Sequence, residues 1–332
     1  MKKFLIYIVL VPVLIFCNPI TVSEIKPDLA KESTEAGQAR SGLSPAVLYV
    51  SKNSNYLKIM TLNNNLYITD INQNFDLKKY SEVGVESSKT KILVNKDNPL
   101  DKNNMNVDLV DIDSNKIVLE KPGLKLDSSA AKALYSMLAS ARRDGVAGFV
   151  LNSAYRSEAT QKEIFTYNLS VFTKTSKTYM EALEKTRLLV AMPGFSEHQT
   201  GLAVDLFSVK GWHRSDFKGT KEQIWLDSNA YKYGFILRYG SNKTEVTGAT
   251  YEPWHFRYTG IPLSTYLFSK GLCLEEFYHK ICSGNIMKGK DCLFMKVERS
   301  QKVYWSGSTN TSIVLEPVKK DLLLLTVKYQ RN

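Results

Sequence analysis

The chain has 332 residues, of which 43% are hydrophobic and 23% are charged, and a formal net charge of +11. This composition is typical of a globular protein, and the length allows one large domain or two smaller ones. The chain contains no Lys/Arg block and no recognised nucleic-acid motif, so we do not expect a nucleic-acid partner. Taken alone, the positive charge indicates a soluble basic surface, and it also suits anionic lipid headgroups or an anionic cell wall.

The N-terminus resembles a targeting segment. Lys2 and Lys3 precede an apolar run at residues 4–16, and no further charge appears before Glu24. We predict residues 1–23 to be a secretory signal or an uncleaved membrane anchor formed by residues 4–23. Lipidation at Cys17 is a third reading, although a bulky Phe16 precedes the cysteine. All three readings place the rest of the chain outside the cytoplasm.

Composition divides the remaining chain into four segments. A polar linker at residues 24–45 precedes a small β region at residues 46–89, where β-like runs alternate with Asn-rich turns. Residues 90–272 contain the main domain, and residues 273–332 are a C-terminal extension with further β-like runs and no assigned role.

Strands and helices are interleaved in the main domain. Periodicity and capping residues predict strands at 91–95, 149–155, 202–207, 235–237 and 254–258, and helices at 126–145, 157–165, 178–191, 225–233 and 262–272. This order lacks a regular βαβ rhythm, so the predicted fold class is α+β.

The four cysteines do not form a thiolate metal site, because no Cys-x-x-Cys pair is present. Cys17 lies in the targeting segment. Among Cys273, Cys282 and Cys292 we expect one disulfide and one free thiol, as in many exported proteins.

Two short blocks contain the ligand set of an open catalytic zinc site. His198, Asp205 and His255 supply two imidazoles and a carboxylate, and such a site needs three protein ligands and an open position. An extended chain would hold His198 and Asp205 about 23 Å apart, so the chain must turn between them, most naturally at Gly201. Asp205 then lies in a strand, where a buried carboxylate is costly unless it is paired or ligated.

The second block adds a carboxylate. Trp254 and Phe256 flank His255, and in a strand they enter the core while His255 points to the opposite face. Glu252 lies three residues before His255, with its backbone restricted by Pro253. A carboxylate beside an activated water can take its proton and deliver it to a leaving amine, so the blocks predict metal-assisted hydrolysis.

The blocks resemble those of the VanY-type zinc D-alanyl-D-alanine carboxypeptidases. The shared pattern is Ser-x-His-x-x-Gly-x-Ala-x-Asp followed by Glu-x-x-His, which this chain matches at residues 196–205 and 252–255. A third block, residues 153–157 with Gln161 downstream, resembles the family's Tyr-Arg-Ser element. The resemblance covers roughly residues 90–270 and leaves both flanking segments outside.

The resemblance implies a fold, a cofactor and a set of roles. The fold is an antiparallel sheet with flanking helices, the core of the lysostaphin-like, D-Ala-D-Ala carboxypeptidase and hedgehog-like zinc proteins. Zinc would be bound by His198, Asp205 and His255, with Glu252 as the base. Arg156 would polarise the scissile carbonyl or hold the oxyanion, a role that suits a fixed fork of charged donors. Three further residues would line the substrate groove: Ser153, Gln161 and Ser196.

The expected activity is removal of the terminal D-Ala from peptidoglycan stem peptides in the bacterial cell envelope. Three alternatives stay open at the level of sequence. They are an L,D-carboxypeptidase that acts on tetrapeptide stems, a non-catalytic wall-binding module with a structural zinc, and an endopeptidase that cuts cross-links.

Overall fold

The computed structural model describes residues 46–52, 55–70, 76–101, 107–210, 214–307, 311–319 and 321–329. The predicted targeting segment at residues 1–23 and the linker at residues 24–45 lie outside the described residues. Within the described ranges, no helix is both long enough and apolar enough to span a membrane.

The first described segment forms short antiparallel strands. Asn63 and Asn64 have φ angles of 49° and 62° and make the two-residue turn between the second and third strands, a conformation that asparagine tolerates well. The strands of this segment are β1 (Ala46–Lys52), β2 (Asn55–Leu62), β3 (Asn65–Asp70) and β4 (Ser81–Glu82).

The central region combines strands and helices in the interleaved order that the sequence predicted. Its elements are β5 (Leu109–Asp111), β6 (Val118–Leu119), β7 (Lys125–Asp127), α1 (Ser128–Arg143), β8 (Phe149–Ser153), α2 (Glu158–Thr173), α3 (Tyr179–Leu189), β9 (Ala203–Ser208), α4 (Arg214–Phe217), α5 (Lys221–Asn229), β10 (Phe235–Leu237), α6 (Thr244–Thr247), β11 (His255–Tyr258) and α7 (Leu263–Lys270).

A five-stranded sheet runs through this region in the order β10-β11-β9-β8-β6. All neighbouring strands are antiparallel except β6 and β8, which are parallel. The expected α+β fold with an antiparallel sheet and flanking helices is therefore confirmed.

Helix α1 packs its apolar face on this sheet. Asp127 caps its N-terminus by accepting hydrogen bonds from the backbone N–H groups of Ser129 and Ala130. Leu134 and Met137 are fully buried and share one core with strand residues such as Val204. Burial of each such side chain contributes about 1.5–3 kcal/mol, so this core holds the central strands in place.

The last segment contains α8 (Leu274–Cys282), β12 (Met287–Lys288), β13 (Cys292–Glu298), β14 (Val303–Ser306), β15 (Thr311–Lys319) and β16 (Leu322–Tyr329). Four of its strands form a sheet in the order β12-β13-β16-β15. The fifth, β14, instead joins the first segment, pairing parallel to β3 and antiparallel to β4.

The two ends of the chain thus share one β structure. Leu57 and Ile68 from the first segment pack with Leu293 and Leu325 from the last in a common core. A second core joins the last segment to the central region, where Leu267 of α7 meets residues of α8 and β13. The domain boundaries at residues 89/90 and 272/273 stay predictions.

Two local expectations were wrong. Residues 91–95 do not form a strand, because two of their backbone carbonyls accept hydrogen bonds from side chains and not from a neighbouring strand. Arg257 donates to the Ile92 carbonyl, and the Tyr278 hydroxyl donates to the Lys91 carbonyl. The predicted disulfide is also absent from the described residues, where no disulfide joins Cys273, Cys282 and Cys292.

Candidate active site

Three adjacent strands bring the predicted site residues into one row across the sheet. His255 of β11 lies directly opposite Asp205 of β9, and Asp205 lies opposite Ser153 of β8. The register of β8 shifts between Leu151 and Ser153, a bulge of the kind that re-aims side chains beside active sites.

The predicted turn brings His198 back to this row. A short 3-10 helix, Glu197–Thr200, ends at Gly201, whose φ of 71° lies in the left-handed region that favours glycine. Trp254 and Phe256 enter the core as expected, which leaves the His255 imidazole facing the site. The turn and the strand alternation together explain the convergence.

His198, Asp205 and His255 are all buried, and their ligand atoms lie within 4.8 Å of one another. His198 Nε2 is 3.3 Å from Asp205 Oδ2, and His255 Nδ1 is 3.0 Å from Asp205 Oδ1. Two imidazoles and one carboxylate in this arrangement can hold a zinc ion and leave a position open.

The His198 ring is oriented by the backbone. Its Nδ1 donates to the Ala154 carbonyl at 2.6 Å, which leaves the Nε2 lone pair facing Asp205. Burial, with the Arg156 guanidinium as the next cause, lowers the pKa of His198 to about 4, so the ring is neutral at pH 7. Nε2 is buried without a hydrogen-bond partner among the described residues, as fits a metal-binding atom.

His255 lies in a more negative environment. Burial lowers its pKa, but the carboxylates of Asp205 and Glu197 more than offset this and raise the pKa to about 9. Burial also acts against the charged form of Asp205 and by itself would raise its pKa. The contacts of Asp205 with His198 and His255 outweigh burial and hold that pKa well below its usual range. The carboxylates of Asp205, Glu197 and Glu252 therefore favour positive charge on the His255 side of the pocket.

Glu252 lies beside this cluster with 8% of its surface exposed. Its Oε2 is 3.7 Å from His255 Nδ1, and its backbone N–H donates to the Tyr239 carbonyl. The Tyr239 ring packs against the His255 ring with centroids 4.9 Å apart. The carboxylate therefore lines the same cleft as the three candidate ligands.

Arg156 is held by three hydrogen bonds. Its Nε donates to Ser153 Oγ at 2.9 Å, its Nη1 to Gln161 Oε1 at 3.0 Å and its Nη2 to Asp205 Oδ2 at 3.0 Å. Gln161 is itself fixed, because its Nε2 donates to the Ala191 carbonyl. Ser153 and Gln161, expected to line the substrate groove, thus orient the guanidinium, and Gln161 also lines the cleft.

The cleft has a volume of about 720 Å³ and is lined by all three candidate ligands, Glu252 and Arg156. Ser196 lies on its wall, 3% exposed. Arg187 and Leu188 also line the cleft. This size suits a short peptide.

Comparison with known proteins gives the family. The model of the family "VanY: D-alanyl-D-alanine carboxypeptidase" matches residues 123–261. A D-alanyl-D-alanine carboxypeptidase of Enterococcus faecalis (strain ATCC 700802 / V583) is 38% identical over 196 residues, covering 59% of this chain and 68% of that protein. A protein of the same description from Enterococcus faecium is 31% identical over 231 residues, 67% of each chain.

The chain belongs to the VanY family. All eight predicted site residues lie within the part matched by the family model. The solved structure of VanYB in complex with D-alanine-D-alanine is 36% identical, with a TM-score of 0.51, and its match covers 58% of this chain and 98% of that one. The structure of the D,D-dipeptidase VanXYg in complex with a D-Ala-D-Ala phosphinate analogue has a TM-score of 0.59 at 28% identity, over 75% of this chain and 97% of that one.

Family membership, together with the His-Asp-His cluster, confirms the expected zinc metallo-carboxypeptidase and its α+β peptidase fold. The expectation of peptidoglycan peptides as substrates is confirmed with it. The family model leaves the β structure at the two ends of this VanY-family chain unmatched.

The sequence-based prediction missed the charges behind the site. Glu197, Arg238 and Arg257 have fully buried side chains, and Glu197 Oε1 accepts hydrogen bonds from both guanidiniums at 2.8 Å. Burial raises the pKa of Glu197, but the two guanidiniums outweigh it and hold that pKa far below its usual range. The available signal was Arg257 between Phe256 and Tyr258, a charge in a buried strand like Asp205.

Proposed function

We propose that the protein is a D,D-carboxypeptidase that removes the terminal D-Ala from peptidoglycan stem peptides, with His198, Asp205 and His255 as its zinc ligands. The observation that carries this proposal is the convergence of the three buried ligands with Glu252 and Arg156 on one cleft. The complex of VanYB with D-alanine-D-alanine supports a D,D substrate at the matching fold.

The three ligands would hold the metal through His198 Nε2, His255 Nδ1 and the Asp205 carboxylate, the atoms that face one another. Bound zinc supplies Lewis acidity that polarises the scissile carbonyl and lowers the pKa of water. The short 3-10 helix and the paired strands fix the three ligands before substrate arrives, so little reorganisation is needed.

Glu252 acts as the general base and then the general acid. Its carboxylate lies within reach of the ligand cluster, takes a proton from the attacking water and later delivers it to the amine of the departing D-Ala. One water is consumed, the peptide C–N bond breaks, and Glu252 ends the cycle ionised as it began. Glu252 is well placed for this role because burial limits competition from bulk water.

Arg156 stabilises the negative charge that develops on the carbonyl oxygen. Its guanidinium is held on three sides by Ser153, Gln161 and Asp205, so it pays little rotamer entropy when the charge develops. A preorganised donor of this kind contributes about 10²–10³-fold in kcat.

Similarity to D-alanyl-D-alanine carboxypeptidases supports an action on the cell wall, outside the cytoplasm. We propose that residues 4–23 deliver the chain there, as a cleaved signal or a retained anchor. The mass of the mature protein isolated from the cell envelope distinguishes the two.

The test is digestion of purified pentapeptide and tetrapeptide stems followed by mass analysis. We expect loss of one alanine from the pentapeptide, complete inhibition by a chelator and recovery on addition of zinc. Cleavage of the tetrapeptide alone would show an L,D-carboxypeptidase. Zinc binding without turnover of any muropeptide would instead favour the non-catalytic wall-binding module, and solubilisation of intact sacculi would favour the endopeptidase.

A further inference from the structure

A largely buried cluster of four charges lies directly behind the candidate metal site. Glu197 Oε1 accepts from Arg238 Nε and Arg257 Nη1, and Arg238 also forms a two-point ion pair with Glu275 of α8, at 2.9 and 2.5 Å. The cluster contains two positive and two negative side chains, so its charges balance. Such a cluster is stable only when each member keeps its partners.

The second carboxylate oxygen of Glu197, Oε2, faces the His255 ring. Glu197 Oε2 and His255 Nε2 lie 3.7 Å apart, and both atoms are buried without a hydrogen-bond partner among the described residues. The other ring nitrogen of His255, Nδ1, faces Asp205 and Glu252. The imidazole is therefore placed between a candidate metal position on one side and Glu197 on the other.

His198 shows what such an imidazole needs. Its Nε2 faces the site while its Nδ1 donates to the Ala154 carbonyl. A metal-binding histidine generally donates its second N–H to a carbonyl or carboxylate, which fixes both the tautomer and the ring orientation. For His255, the group in that position is the Glu197 carboxylate.

We propose that Glu197 is a positioning residue for the metal ligand His255, and that the C-terminal segment completes the site by supplying Glu275. With the metal bound, Glu197 is placed to accept the Nε2–H of His255 and so to direct the Nδ1 lone pair toward the metal. Because His255 is a metal ligand only under the proposed function, this role depends on that proposal.

Glu275 acts through Arg238. Its carboxylate takes two donors of the guanidinium and is itself held by Asn95 Nδ2 at 2.9 Å. Without Glu275, Arg238 would have one carboxylate partner in place of two, and an uncompensated positive charge would draw Glu197 away from His255. The C-terminal segment at residues 273–332, which has no role in the sequence-based prediction, is thereby linked to His255 through Arg238 and Glu197.

The experiment measures zinc affinity of the full chain by competition with a chromophoric chelator. Glu197→Gln should weaken zinc binding by about 10–100-fold, the usual effect of losing such a partner. Glu275→Gln should weaken it by a smaller factor, about 2–10-fold. The matched control is Glu276→Gln, the next residue of α8, which pairs with Lys243 and not with Arg238. It should leave zinc affinity unchanged.

A second readout separates positioning from general destabilisation. The visible spectrum of the cobalt-loaded protein should change in Glu197→Gln and stay the same in Glu276→Gln, with circular dichroism confirming that each variant is folded. Folded Glu197→Gln with wild-type zinc affinity would overturn the proposal. Should that variant not fold, wild-type affinity in Glu275→Gln would overturn it. A wild-type protein that binds no zinc would instead refute the proposed function.

Discussion

Gly201 makes the turn between two candidate metal ligands, and alanine at this position should destabilise the protein strongly. Its φ of 71° lies in the left-handed region, where a non-glycine residue costs about 1–2 kcal/mol. A Cβ atom there would also lie 2.9 Å from Val107 Cγ1 and 3.1 Å from the backbone nitrogen of Asp127. The valine can move, but the Asp127 backbone is fixed, because its N–H donates to the Gly201 carbonyl and its side chain caps the start of α1.

Overpacking of this kind costs about 1–3 kcal/mol in addition. Gly201→Ala should therefore lose about 2–5 kcal/mol of unfolding free energy in total. The control is Gly145→Ala, where φ is 78° and no atom lies within 4 Å of the added Cβ, so only the backbone cost applies. Urea unfolding followed by tryptophan fluorescence measures both. Equal losses in the two variants would refute the claim that close packing at Gly201 holds the turn.

Three further predictions concern single side chains. Arg156→Lys should lower kcat about 10²–10³-fold with zinc content unchanged, because one ammonium cannot replace the fork of donors. Steady-state kinetics with metal analysis tests this prediction. An unchanged kcat would remove Arg156 from the mechanism. Ser153→Ala removes one bond to that guanidinium and should lower kcat about tenfold with little change in KM, whereas a change in KM alone would indicate substrate contact instead. Burial raises the pKa of Asp227 to about 6, so the ionised carboxylate that prevails above that pH opposes folding. Asp227→Asn should therefore stabilise the protein at pH 8 by about 1–2 kcal/mol, a value discounted for partial exposure. The same substitution should have little effect near pH 4, where the carboxyl is protonated in the folded protein. Equal stabilisation at both pH values in thermal unfolding would contradict this assignment.

The convergence of the site could be predicted because local rules determine it. Strand alternation places Asp205 and His255 on the site face, and the need for a turn between His198 and Asp205 points to Gly201. The helices could also be predicted from the sequence, since Asp127 and Gly145 mark the two ends of α1.

Other features depend on contacts between distant residues and leave no local signal. Strand β14 pairs with β3 across more than 200 residues, so no periodicity reveals that the two ends share one sheet. Residues 91–95 have a strand-like composition, yet two of their backbone carbonyls accept hydrogen bonds from the side chains of Arg257 and Tyr278. Glu197 resembles an ordinary acid in sequence until the fold brings two guanidiniums to it.

Glu252→Gln tests the central claim most directly, with zinc content and D-Ala release measured on the same preparation. The substitution keeps the size of the side chain and removes its ability to accept a proton. We predict one equivalent of bound zinc, as in the wild type, and a rate of D-Ala release from the pentapeptide stem lower by about 10²–10⁴-fold. Release at the wild-type rate with zinc bound would contradict the role of Glu252 and, with it, the proposed chemistry of this site.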